Sequence, residues 1–106
     1  MTRVFAILVS ALLMISTPAS AGVNKTNAAF SEDISFIMEK MEKKVGKTSQ
    51  SYKSLVEIKI EFNKTYDKAW KMARHEFYEY ASSVYDRVNK IASDQGMAKV
   101  NKPNWL

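Results

Sequence analysis

Three short stretches carry the residue types of a reactive site. His75-Glu76-Phe77-Tyr78-Glu79 begins like the zinc-protease helix, in which two histidines one turn apart hold the metal and a glutamate activates water. Here Glu79 stands where the second histidine belongs, and the chain has one histidine in all. The simpler reading is a surface histidine beside carboxylates. Gly46-Lys47-Thr48 matches the end of a phosphate-binding loop, whose glycines let backbone N–H groups cradle phosphate. That motif needs another glycine five positions before Gly46, where Met41 stands, and no strand pattern leads into it. The tripeptide reads as a turn between helices. Glu57, Glu61, Glu76 and Glu79 offer carboxylates for acid–base work, but they fall on a polar helix face with no cleft to shift their pKa values. The chain has no cysteine, which excludes thiol catalysis and thiolate metal sites. The residues therefore point away from an enzyme, and no cofactor or metal is expected.

Two other groups suit binding. Lys64, Lys68, Lys71 and Arg74 form a basic stripe fit for anionic head groups or cell-wall polymer, although Asp67 and Glu61 interrupt it. Aromatic residues are dense in the second half of the chain. Tyr66, Phe77 and Tyr80 continue an apolar seam, while Trp70, Tyr78 and Tyr85 stand beside or off it. Trp105 and Leu106 end an otherwise polar tail, which docks either on the bundle or on a partner. The candidate partner-binding set is thus Trp70, Phe77, Tyr78, Tyr80, Tyr85, Trp105 and Leu106, because aromatics beyond those a core needs favour a contact surface.

The elements that position these residues are helical. Phe30, Ile34, Ile37, Met38, Met41 and Val45 recur at steps of three and four, which predicts a helix over 31–45. Ser31 is its expected N-cap, Lys43 and Lys44 suit the last turn, and Gly46 is the stop. Residues 48–95 contain neither glycine nor proline. Through them runs one apolar series from Tyr52 through Leu55, Ile58, Phe62, Tyr66, Ala69, Ala73, Phe77, Tyr80, Val84 and Val88 to Ile91, with a mean step of about 3.5, close to a heptad. Val56–Phe62 alternates as a strand would, but a lone strand has no partner here, so it reads as helix. An unbroken helix over 48–95 would reach about 70 Å and leave much of its seam wet. Two arrangements cover the seam: a break near residues 63–65 that folds the chain into a small three-helix bundle, or a straight hairpin helix paired with another copy or another protein. The fold class is all-α in either case.

The N-terminus reads as a secretory signal peptide. Arg3 is the positive n-region, Val4–Ile15 an apolar run of about a dozen residues, and Ala19-Ser20-Ala21 the small-residue cleavage site. The rival is an uncleaved anchor, but Pro18 and its polar neighbours cut the run short of the ~20 residues a spanning helix needs. The expected organisation is a leader over 1–21, a flexible arm over 22–30, a helical domain over 31–96 and a tail over 97–106. Removing Arg3 with the leader lowers the net charge of +5 by one, leaving a basic domain. The leading functional expectation is an exported, non-catalytic helical protein, periplasmic or secreted. It would act by binding a protein or itself, as an inhibitor, adaptor, chaperone or lysis regulator does. The alternative is a cationic binder of anionic membrane or cell-wall surfaces. Export disfavours a nucleic-acid partner.

Overall fold

The computed structural model describes the backbone of residues 2–106 and side chains from residue 21 onward. The expected leader over residues 1–21 falls outside the described side chains but for Ala21. Three helices follow one another: α1 (Thr2–Val45), α2 (Gln50–Asp67) and α3 (Arg74–Asp94), with a 3-10 turn over Ala69–Lys71 between the last two. Each helix packs on both others, so the chain is an up-down-up bundle. Of the two arrangements open in the sequence, it adopts the broken one.

The helix α1 is already formed at Gly22, where a loose arm over 22–30 and an N-cap at Ser31 are expected. The reason lies in its buried stripe. Thr26 and Phe30 continue the series Ile34, Ile37 and Met41 backward at steps of three and four, and all five are buried. Thr26 Oγ1 donates to the Gly22 carbonyl at 2.8 Å, one turn earlier. Gly46 ends α1 with φ +87°, a left-handed value that costs a side chain but not glycine. Ser49 caps α2, its hydroxyl accepting from the Tyr52 N–H at 3.2 Å and donating to the Gly46 carbonyl at 2.8 Å. Val56–Phe62 is helical; Ile58 and Phe62 are buried and Ile60 faces water.

The break comes at residues 68–73, past the expected 63–65. Phe62 and Tyr66 lie one turn apart on the core face, so α2 must persist through both. Lys68 then closes the helix with its N–H shared between the Thr65 and Tyr66 carbonyls. Buried Ala69 gives the chain room to turn, and extended Met72 and Ala73 (ψ 153° and 146°) redirect it into α3. No glycine or proline is needed, which is why the break leaves no punctuation in the sequence.

The core is aromatic at the middle. Phe30 stacks on Phe62 at 4.1 Å between centroids, Tyr85 meets Phe30 edge-on at 5.6 Å, and Phe77 meets Phe62 at 5.8 Å. Each such side chain contributes about 1.5–3 kcal/mol over its exposed state. Because α3 faces two neighbours, its buried face is wide: Phe77, Ala81, Val84, Tyr85, Val88 and Ala92. Tyr85, read from the seam as an outlying ring, is therefore core. The tail after Gly96 returns along α3. Asn89 exchanges two hydrogen bonds with the Val100 backbone at 2.8 and 2.9 Å, and Lys102 reaches Asp86 and Ser82, both at 2.8 Å.

Candidate functional site

Most of the aromatic set proposed for a partner is used by the chain itself. Phe77 and Tyr85 are fully buried, and the Tyr85 hydroxyl donates to Asp33 Oδ2 at 2.5 Å, tying α3 to α1. Tyr80 is partly buried against Phe62 and donates to Glu61 Oε2 at 2.8 Å. Tyr78 lies against the backbone of Gly22, where any Cβ would collide with its hydroxyl. Trp105 donates from its indole N–H to Thr26 Oγ1 at 2.8 Å, with Lys25 Nζ 4.1 Å above its ring. Leu106 is partly buried against the core. The tail thus docks on its own bundle. Trp70 is the exception, 79 % exposed in the 3-10 turn.

Trp70 stands among the candidate cations. Lys64 lies in the last turn of α2, Lys68 at its C-cap, Lys71 in the 3-10 turn and Arg74 at the first position of α3. All four are exposed, and Lys71 Nζ lies 5.1 Å from the Trp70 ring centroid. The helical stripe read from the sequence is thus bent around a corner. Two ends of helices and a turn bring it to one place, together with exposed His75.

The acidic interruptions matter less than the sequence implies. Glu61 Oε2 is held by Arg87 Nη1 at 2.9 Å, and the guanidinium, followed by the Tyr80 hydroxyl, keeps its carboxyl below the usual range. Its charge is spent on Arg87. Between residues 64 and 75 the one carboxylate is Asp67. Among the described residues, the five ion pairs use Lys43, Lys47, Arg87, Lys90 and Lys102, and none uses a cation of this corner.

The corner also breaks two local rules. Ala73 occupies the N-cap of α3 with no side-chain acceptor, so the cap is half made: Glu76 Oε1 accepts from the Ala73 N–H at 2.9 Å, and nothing replies. Arg74 and His75 then stand at the positive end of the helix dipole, where an anion would be stabilising. In the sequence Trp70 falls in the aromatic group and Lys64, Lys68, Lys71 and Arg74 in the basic stripe. Nothing in a one-dimensional pattern said that the chain turns between them.

His75 is exposed at the start of α3, and Gly46-Lys47-Thr48 is the α1–α2 turn. No family model, curated protein or solved structure matches this chain.

Proposed function

We propose that this is an exported, non-catalytic helical protein that works by binding an anionic surface through the corner between α2 and α3. One observation carries the reading: four exposed cations that join no ion pair among the described residues share the α2–α3 reversal with the most exposed large aromatic side chain there, and Lys71 Nζ lies 5.1 Å from its ring. A solvated helix face would keep its charges of both signs mixed and its tryptophan covered. Here Arg74 stands at a helix start that Glu76 alone half-caps, a position where the dipole disfavours a cation and favours a further anion. The export half of the proposal rests on the leader-like N-terminus.

The folded bundle also weakens the case for a protein partner, which drew on an uncovered seam. Leu55, Ile58, Phe62, Phe77, Val84 and Val88 are all buried within one chain. A protein partner stays as a second reading because Phe36 and Ile60, 53 % and 50 % exposed, point outward from α1 and α2.

Charge reversal tests the proposal. A quadruple variant (Lys64→Glu, Lys68→Glu, Lys71→Glu, Arg74→Glu) and a charge-matched control (Lys43→Glu, Lys44→Glu, Lys47→Glu, Lys53→Glu) are compared for binding to poly(glycerol phosphate) and anionic phospholipid vesicles. Loss of about tenfold or more in the corner variant alone supports the site, since rim charges act locally within about 10 Å. Equal losses in both variants reduce the effect to overall basicity and contradict it.

A further inference from the structure

We propose that the anionic surface is a phospholipid bilayer, on which the protein stands end-on with Trp70 seated among the head groups. This rests on the anionic-surface reading above and adds the occupant and the orientation.

The end of the bundle that carries the corner is defined by four contacts. Tyr66, in the last turn of α2, donates to Asn24 Oδ1 at 2.5 Å. Tyr78, in the second turn of α3, lies on Gly22. Trp105 bonds Thr26, and Lys25 covers its ring. Gly22–Thr26, the corner and the end of the tail therefore share one end of the molecule. Both tryptophans of the chain are there, with Lys25 adding a fifth cation. Indole has an apolar body and a polar N–H, which is why tryptophan collects at the level of lipid head groups, and lysine and arginine flank it there.

Shape and charge choose between occupants. Trp70 sits on a chain reversal and is 79 % exposed, so it projects from the protein rather than lining a pocket. A projecting ring with Lys71 at its face and further cations on the same reversal complements a flat, deformable, anionic layer. A soluble polyanion would satisfy the cations but leave the ring in water. A protein partner would need a recess to receive it. Among the described residues no helix is long and apolar enough to cross a membrane.

The test uses the purified protein with its N-terminus read by mass spectrometry, and vesicles of phosphatidylcholine with or without phosphatidylglycerol. The protein should sediment with the anionic vesicles and not with the neutral ones. Raising salt from about 0.05 M to about 0.5 M should release it. Bound protein should show a blue-shifted tryptophan emission that bromine-labelled acyl chains quench, and Trp70→Phe should abolish the shift and weaken binding, with helicity unchanged by circular dichroism. Binding to poly(glycerol phosphate) or polyglutamate through the same four cations, but not to vesicles, overturns the bilayer and leaves the anionic-surface reading standing. Vesicle binding with Trp70 still in water overturns the seating. Equal binding to neutral vesicles, or vesicle binding indifferent to the corner charge reversal, overturns both readings, as does a failure to bind any of these probes.

Discussion

Tyr80 and Tyr85 are the residues through which stability and pH are joined. Burial pushes the Tyr80 phenol up from 10.0 to about 12, and the neighbouring Glu61 carboxylate adds to the shift. Burial, then Asp33, raises Tyr85 in the same direction. A phenol held protonated in the folded state contributes fully below the unfolded value near 10, and the contribution disappears as pH rises through the folded one. Urea midpoints should therefore fall as pH climbs from about 10 to about 12, and Tyr80→Phe should flatten part of that slope. The depressed Glu61 works the other way: its stabilisation is present at neutral pH and lost as pH drops below 4.5. That loss is small, because the Arg87 pair is nearly half exposed. Phe62, at the centre of the ring cluster, is the position where truncation matters most. Phe62→Ala should cost about 3–5 kcal/mol in denaturant melts. That rings such as Phe62 and Phe77 belong to the core was legible in their spacing. That Tyr85 belongs there was not, because a single seam assumes one neighbouring helix and α3 has two.

At the scale of elements, the turn between α1 and α2 is well specified and the corner between α2 and α3 is not. Gly46 and Ser49 mark the first; Gly46 was readable as a stop, while Ser49 emerges as the cap of α2 only in the structure. Ser49→Ala should lower stability by about 1 kcal/mol, since the Tyr52 N–H loses its acceptor. The second reversal lacks such marks, so the sequence permitted one long helix and placed any break a few residues early. What closes α2 is the tertiary demand that Phe62 and Tyr66 both face the core before the chain departs. The weak start of α3 yields a trade-off. Arg74→Glu should raise stability by about 0.3–1 kcal/mol, because it places an anion at the positive helix end, and should weaken binding to anionic surfaces. Thermal melts and vesicle sedimentation on this one variant read both effects. A variant that loses stability and keeps binding would contradict the role given to the corner.

The whole molecule is a bundle whose two ends differ. At the Gly46 end, Lys43 and Lys47 are paired with Glu39 and Glu42, although Lys44 joins no ion pair among the described residues. What sets the Gly22 end apart is that both tryptophans stand there, each with a lysine near its ring. This polarity of the molecule was invisible in the sequence, where Lys25, Trp70 and Trp105 are far apart. Their meeting depends on the up-down-up path and on the tail returning along α3. Since the seam is covered within one chain, the purified protein should sediment as a monomer in an ultracentrifuge at micromolar concentration. The most direct measurement is a backbone amide NMR titration of the protein with small anionic bicelles. Shifts concentrated in residues 64–75, with the indole N–H of Trp70 moving most, are the expected result. Shifts centred on Phe36 and Ile60, or spread evenly over the basic residues of both ends, would contradict a binding corner at the α2–α3 reversal.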